Sequence, residues 1–341
     1  GVQFYGGAQA AITWIMMIVF LILGIVGSLG TGEALGVATP VPENAGLLPE
    51  GGWPTVFGAV GTAVWFFIGF EFACPLAEEN RKPYKYVPWA LIFGLITIYV
   101  TDIIFVYGAV KYTDLELMTT SSVPHVDAAS AILGPVGGIT MGLLTIFASF
   151  TTGNDYVCAL PRMLYGMARE NLVPKVFAKL HPKYRVPMYG IFFTVCLILL
   201  VLIYVTVKGG TSDAILTLIN TACITWLIAY IIAMVDVLVL RKKYPDFPRL
   251  FKVPAAGIVL PIGMLGALYA IYTLAYVLMF ACILMAVIAA YAVIWNKAHG
   301  LPVNDKVPIE KLVKDVRDRS EYLAVWDEAV EEWLKKRDAL Q

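Results

Sequence analysis

Four carboxylates lie inside long apolar stretches of the sequence, where an acidic side chain is unusual. They are Glu71, Asp102, Asp155 and Asp236. If such a stretch crosses a membrane, an ionisable group in it is costly, so each is a candidate for ion, proton or substrate chemistry. Asp236 lies close to the basic run that begins at Arg241 and is better explained as an interfacial charge. For Asp102, a structural hydrogen bond and a functional role are equally consistent with the sequence.

Glu71 is distinctive because the residues around it weaken a helix at two points. Gly69 lies two residues before it and Pro75 four residues after it. A helix interrupted within a membrane is tolerated only where it lines a cavity, and its freed amides and carbonyls can then hold an ion or a substrate. The alternative is a simple kink, with Glu71 hydrogen-bonded to a neighbouring helix. The residues alone favour neither.

A second group of polar side chains surrounds Asp155. Thr151, Thr152 and Asn154 precede it within four residues, and Tyr156 follows it. Two hydroxyls, an amide and a carboxylate supply oxygen ligands of the kind that hard cations prefer. The alternative is hydrogen bonding between membrane helices by threonine and serine, which is common. Because the polarity is concentrated on about one helical turn, we favour a binding site.

The composition predicts the elements that carry these residues. Apolar residues make up 59% of the chain, and charged residues make up 15% against a usual ~25%. A bilayer core of ~30 Å requires ~20 mostly apolar residues per helix, so we predict an all-α membrane protein. Eight spans are expected, at 8–29, 55–77, 87–110, 133–160, 187–207 and 215–240, with the run 255–295 divided near Tyr276 into two.

Basic residues in the loops predict how the chain is oriented. The loops after the second, fourth and sixth spans hold 14 lysines and arginines, whereas the loops after the first, third and fifth spans hold two. The positive-inside rule therefore predicts that the basic loops and the C-terminus are cytoplasmic. We expect residues 1–300 to form the transmembrane domain. Residues 301–341 form a separate tail, in which apolar residues between Tyr322 and Trp333 recur at the spacing of an amphipathic helix.

Several classes of protein are excluded by the sequence. A net charge of zero argues against the strongly basic surface of a nucleic-acid-binding protein. The five cysteines lie in apolar runs and the three histidines are far apart, so neither a metal site nor a disulfide framework is predicted. No Ser/His/Asp or Cys/His arrangement is recognisable, and we expect neither an enzyme nor a bound organic cofactor.

Further motifs accompany the Glu71 segment. They are Trp65-x-x-x-Gly69-Phe-Glu71, the loop Glu78-Glu79-Asn80 with Pro83 and Pro88, Arg162-x-x-Tyr165-x-Met167-Ala168-Arg169-Glu170 with Pro174 and Pro187, and Phe251-Lys-Val-Pro254. In combination they resemble the amino acid–polyamine–organocation superfamily of secondary transporters, the amino acid permeases. The resemblance implies a LeuT-like 5+5 fold of two inverted repeats followed by two further helices. The eight spans would correspond to helices 5–12, and helices 1–4 would be absent.

The resemblance also implies roles for individual residues. Gly69 would mark the unwound point of the sixth helix, and Trp65 would be an aromatic gate or wall over the substrate. Glu71 would serve proton sensing or a cationic substrate, and Tyr156 would lie at the bottom of the pocket. The predicted substrate-binding residues are Trp65, Gly69, Glu71, Asn154, Asp155 and Tyr156.

The predicted ion site is Ala148, Thr151 and Thr152, which resemble the eighth-helix half of the sodium site in sodium-coupled relatives. Some relatives that couple to protons or exchange substrates carry a lysine in the fifth helix instead. The equivalent position in this chain is Met16, and residues 8–29 contain no lysine. This departure favours Na⁺ as the coupling ion, with H⁺ as the alternative.

The resemblance therefore implies a secondary active transporter of amino acids. The compact polytopic body without organelle signals favours a bacterial or archaeal plasma membrane. Cationic amino acids and polyamines are candidate substrates, because carboxylates such as Glu71 and Asp155 bind desolvated cations well. Transport would proceed by alternating access, with cation coupling or by exchange. The alternative is a non-transporting membrane sensor or assembly protein on the same scaffold. The expected partners are an amino acid or amine and membrane lipid, and no nucleic acid.

Overall fold

A computed structural model gives the fold, and the regular elements among the residues it describes are all helices. Those residues are 2–41, 51–79, 83–207, 212–249, 251–301, 332, 333 and 335. The helices are α1 (Val2–Leu29), α2 (Thr31–Ala34), α3 (Trp53–Gly58), α4 (Val60–Ala63), α5 (Pro83–Val110), α6 (Leu115–Thr120), α7 (Pro124–Arg169), α8 (Met188–Val207), α9 (Ser212–Lys243), α10 (Ala256–Thr273) and α11 (Leu278–Ala298). Short 3₁₀ segments cover Val64–Phe67, Phe70–Glu79, Lys175–Ala178 and Ala275–Val277.

Eight helical segments among the described residues are long and apolar enough to cross a membrane. The predicted all-α membrane fold with eight spans is confirmed, and the last apolar run divides at Ala275–Val277, which contains the expected position, Tyr276. The fourth span differs from the prediction. It extends to Arg169, and non-helical backbone at Leu133 and Gly134 separates it from the start of α7. A search for apolar runs misses this extension because a helix can continue beyond the lipid into water.

The chain divides into two compact units. The first comprises Gly1–Val56, Ile92–Leu160 and Leu180–Val186. Its core contains Leu23 of α1, Phe105 of α5 and Ile132 of α7, all less than a tenth exposed. Helices α1 and α5 approach closely at glycines, since a Cβ built on Gly24 would lie 2.8 Å from the amide nitrogen of Phe105.

The second unit comprises Phe57–Leu91, Pro161–Lys179 and Pro187–Gln341. Its core is formed where α9 packs against α10 and α11. The buried residues fall into two clusters. They are Cys223, Ile224, Leu274, Val277 and Ala281 in one cluster, and Leu227, Ala267 and Ala270 in the other. Both clusters also contact the second span, which carries Glu71.

The predicted amphipathic helix of the tail lies almost entirely outside the described residues. Of its apolar positions, only Trp333 is described, in a helical conformation. The Trp333 ring packs edge-on against Tyr244 and Phe247, with ring centroids 6.1 Å and 5.1 Å away. This residue of the tail therefore contacts the loop that follows α9.

Candidate functional site

The second span is interrupted at Gly69, in agreement with the sequence pattern. Helix α4 passes into a 3₁₀ turn that ends at Phe67, and Ile68 is extended with φ −82° and ψ 142°. Gly69 follows with φ 106°, a conformation that glycine adopts without steric cost. The chain then continues as the 3₁₀ segment Phe70–Glu79, which contains Pro75. The backbone groups on either side of Gly69 are thereby released from α-helical hydrogen bonding.

The side chain of Glu71 turns back onto this break. Its Oε2 accepts hydrogen bonds from the Gly69 amide over 3.1 Å and from the Tyr230 hydroxyl over 2.7 Å. Its Oε1 accepts a short hydrogen bond from the indole Nε1 of Trp226. We call these four residues the Glu71 cluster. Because both carboxylate oxygens are engaged, the negative charge is stabilised by protein donors and tied to the geometry of the break.

Aromatic rings enclose the Glu71 cluster. Trp65 lies edge-on to Trp226 with centroids 6.5 Å apart, and Phe72 contacts the same indole at 6.4 Å. Phe70 packs against Tyr230 at 5.7 Å. Trp65 is half-buried and also contacts the buried cluster of α9, α10 and α11. The predicted gate residue is thus part of an aromatic wall beside the break.

Two members of this cluster were not expected from the sequence. Trp226 and Tyr230 lie four residues apart on α9 and so share one face of that helix. The signal that could have identified them is a pair of hydrogen-bonding aromatic side chains in a span, 215–240, that holds no other aromatic residue. A buried indole or phenol usually finds a polar partner, and a carboxylate is a strong one.

The polar residues around Asp155 lie on a continuous part of α7, in the first unit. We call residues 148–156 the polar turn. Thr151 is 6% exposed, and its hydroxyl donates to the Ala148 carbonyl over 3.0 Å. Thr152 is exposed, because consecutive helical residues point about 100° apart. The structure therefore brings Ala148 and Thr151 together and leaves Thr152 on another side of the helix.

Gln9 of α1 is the cross-helix partner of the polar turn. Its Nε2 donates to the Thr151 carbonyl over 3.2 Å and to Oδ2 of Asp155 over 3.1 Å. Asn154, Asp155 and Tyr156 are all half-buried. The sequence analysis overlooked Gln9, although an amide within an apolar span is itself a signal of interhelical hydrogen bonding.

The nine predicted site residues thus fall into two groups. Trp65, Gly69 and Glu71 come together in the second unit, whereas the six residues of α7 belong to the first. Within the described part of the chain, no group of three or more His, Cys, Asp or Glu side chains is suited to hold a metal ion. The groups that could bind a ligand are the backbone polar groups beside Gly69 in the second unit and the side-chain oxygens of the polar turn in the first.

Comparison with known proteins identifies the family. The family profile described as Amino acid permease matches residues 1–300 of this chain. The matched region includes all eight candidate spans and both groups of site residues. It ends where the charged tail begins.

Several curated relatives match over much of the chain. The branched-chain amino acid permease BcaP of Bacillus subtilis (strain 168) is 29% identical over 238 residues, which cover 66% of this chain and 47% of the relative. The glutamate/serine transporter AimA of the same organism is 29% identical over 65% of this chain and 41% of the relative. The putrescine transporter PotE of Haemophilus influenzae is 25% identical over 80% and 60%, respectively.

The chain spans about half the length of the curated relatives it matches. These matches confirm the resemblance inferred from the Trp65–Glu71 motif. They also confirm that the protein is a multi-pass membrane protein of a transporter family and not an enzyme. The chain belongs to the amino acid permease family.

Proposed function

We propose that the protein is a secondary active transporter that moves amino acids by alternating access around the interrupted second span. The observation that carries this proposal is the break at Gly69, which the hydrogen bonds of the Glu71 cluster stabilise. Discontinuous membrane helices bind substrates through the polar ends of their half-helices. Names of the relatives support an amino acid or amine as substrate, since they include branched-chain amino acid, glutamate/serine and putrescine transporters.

The contacts of Glu71 bear on the class of substrate. A carboxylate that already accepts three hydrogen bonds has little capacity left for a substrate cation. Glu71 therefore acts on the shape of the break, and the substrate meets backbone groups beside Gly69 and the ring of Trp65. These groups suit the ammonium and carboxylate of an amino acid. Cationic amino acids and polyamines remain candidate substrates, whose cationic group the Asp155 carboxylate would bind.

The coupling ion is part of the same proposal. Ala148 and Thr151 are proposed to contribute to a Na⁺ site, and Thr152, which lies on another side of the helix, is left out of it. Asn154 and Tyr156 are proposed to contribute to substrate binding on the polar turn. H⁺ coupling and exchange are the alternatives. The Thr151 hydroxyl donates its hydrogen to the Ala148 carbonyl. The lone pairs of its oxygen therefore remain available to coordinate a cation.

Orientation and location complete the proposal. The excess of basic residues in alternate loops supports a C-terminus in the cytoplasm, and the permease family supports a plasma-membrane location. We propose that residues 1–300 form the transmembrane domain and residues 301–341 the cytoplasmic tail. Labelling of single cysteines introduced at Lys208 and Lys252 with a membrane-impermeant maleimide tests this, because the two positions must react from opposite sides.

The function is tested with the full-length protein in proteoliposomes. Uptake of radiolabelled leucine, serine, glutamate, arginine and putrescine is measured with sodium, with choline in its place, and with an imposed pH gradient. Saturable uptake of an amino acid that requires sodium would support the proposal in full. Uptake that follows the pH gradient and ignores sodium would overturn the Na⁺ assignment only. Absence of uptake, together with no thermal stabilisation by any of the twenty amino acids, would favour the non-transporting alternative.

A further inference from the structure

The first half of the interrupted span (Val60–Phe67) is held in place by residues that do not belong to the site. Val60, Val64, Trp65 and Ile68 face the two buried clusters of the second unit. The spacing of Val60, Val64 and Trp65 places them on one side of the helical stretch, and Phe66, which points away from that side, is 67% exposed. The position of the break therefore depends on what α9, α10 and the α10–α11 connection present to this side.

Thr273, the last residue of α10, makes the most specific of these contacts. Its Oγ1 accepts a hydrogen bond from the Gly61 amide over 3.0 Å and donates to the Ala270 carbonyl over 2.8 Å. Gly61 is in the first turn of α4, where an amide has no partner within its own helix. A side chain from another helix thus supplies the missing N-terminal cap, and no side chain of α4 or its own cap residue does so.

The fit around Gly61 leaves no room for movement toward α10. A Cβ built on Gly61 would lie 2.6 Å from Cγ of Leu274 and 2.7 Å from the Ala270 carbonyl oxygen. Both distances are shorter than real Cβ contacts, so glycine is required for this approach. Leu274 itself is 1% exposed, which fixes the surface against which α4 rests.

Asn220 of α9 provides a second polar contact on the same half. It is 1% exposed, its Nδ2 donates a short hydrogen bond to the Tyr276 hydroxyl, and the Thr62 hydroxyl is 3.5 Å from its Oδ1. Tyr276 lies in the 3₁₀ segment that joins α10 to α11. The end of α10 and the connection after it therefore contact two consecutive residues of α4, directly or through Asn220.

We infer that Thr273, with Asn220 and Tyr276 in support, is a positioning residue that sets where the break at Gly69 lies and hence how well the site binds its substrate. This inference rests on the proposed function for its consequence, and on the Thr273–Gly61 contact for its mechanism. Loss of the Thr273 hydroxyl leaves a buried amide without an acceptor and loosens α4. Substrate affinity then falls, while the turnover of bound substrate is retained.

The test compares Thr273→Val, Thr273→Ser and the control Thr206→Val. The hydroxyl of Thr206 donates to the Leu202 carbonyl of its own helix and is exposed, so its loss removes the same chemistry without a cross-helix contact. In Thr273→Val we expect KM for uptake to rise about ten-fold with the maximal rate unchanged. Thr273→Ser is expected to restore the wild-type KM, and Thr206→Val to retain it.

Hydrogen exchange of the peptide that covers residues 60–72 gives a readout that needs no substrate. Thr273→Val is expected to exchange at least about ten-fold faster there than the wild type, and Tyr276→Phe is expected to change it in the same direction. Tyr276→Phe removes only the hydroxyl that accepts from Asn220 and keeps the measurement available if Thr273→Val does not fold. Unchanged exchange in both variants would overturn the inference. Absence of wild-type uptake would overturn the proposed function, and the exchange data would still decide the role of Thr273.

Discussion

The interrupted span of the second unit and the polar turn of α7 in the first unit place similar residues in different backbone settings. In the former, Gly69 has a positive φ and the chain leaves the α-helix, so backbone amides become available and one of them binds Glu71. In the latter, the helix is continuous, and its contact with α1 is made by the side chain of Gln9, which donates to Asp155 and to the Thr151 carbonyl.

This difference indicates that polarity within a span has two separate uses. A carboxylate beside a break supplies an acceptor for a backbone amide that has left the helical hydrogen-bond ladder, as Glu71 does for Gly69, so its removal should affect function strongly. A carboxylate on a continuous helix contributes one interhelical contact, and such contacts in membranes are worth about 0.6 kcal/mol on average. Substitutions of chemically similar residues should therefore have a larger effect on function or stability at the break than on the polar turn.

Glu71→Gln is the substitution with the largest expected effect. An amide presents one acceptor oxygen and one donor nitrogen, so at least one of the three donors around Glu71 loses its acceptor. A hydrogen bond to a charged group contributes about 1.5–3 kcal/mol, and we expect the initial uptake rate in proteoliposomes to fall about 30-fold or more. Membrane expression should be retained.

Asp236→Asn is the matched control for this substitution. Asp236 is an exposed carboxylate on α9, the helix that also carries Trp226 and Tyr230, and an exposed change of this kind usually has little effect. Its uptake rate should remain within about two-fold of the wild type. Wild-type flux in Glu71→Gln would remove Glu71 from the mechanism and favour a simple kink at this position.

A pair of glycine substitutions tests the backbone difference directly. A Cβ added at Gly69 or at Gly153 of the polar turn meets no atom within 4 Å, so only the backbone conformation distinguishes them. Gly69→Ala places a side chain at φ 106° and should destabilise the protein by about 1–2 kcal/mol. Gly153→Ala, within a helix, should be neutral or stabilising by up to ~1 kcal/mol. Thermal unfolding in detergent measures both, and equal effects would contradict the comparison.

The sequence was sufficient to predict the spans and the position of the break. Glycine at Gly69 and proline at Pro75 act through local backbone geometry, which a single sequence specifies. The division of the last apolar run near Tyr276 follows from length alone, since that run is about twice one span.

The partners of the site residues could not be predicted in the same way. Trp226 and Tyr230 lie more than 150 residues from Glu71, and nothing in their own segments indicates which carboxylate they contact. The same holds for Gln9 and for Thr273. Such pairings are decided by which helix faces pack together, and the hydropathy of a span that is apolar on all sides does not specify a face.

Gln9→Leu tests the polar turn and should destabilise the protein less than Gly69→Ala does. It removes the two hydrogen bonds to Asp155 and to the Thr151 carbonyl while keeping a similar volume. We expect the midpoint of thermal unfolding to fall by about 1–3 °C. Thr97→Val, which removes an exposed hydroxyl bonded to the Phe93 carbonyl of its own helix, should leave the midpoint unchanged. A loss as large as that of Gly69→Ala would mean that the polar turn is more than an interhelical contact.

The smallest effect is expected outside the spans of the first unit, where Lys111 Nζ lies 2.6 Å from Oε1 of Glu33. Hydrogen bonds from Lys111 and then from Tyr112 lower the pKa of the Glu33 carboxyl from its ordinary value of 4.5. A carboxyl with a lowered pKa stabilises the fold above its unfolded pKa, and this contribution is lost as pH falls through the folded pKa. The midpoint of thermal unfolding should therefore fall more in the wild type than in Glu33→Gln as pH falls below 4.5. Because the two side chains are 45% and 37% exposed, solvent screening keeps the difference small. Parallel pH profiles would show that this charge, unlike the carboxylate of Glu71, contributes nothing to the fold.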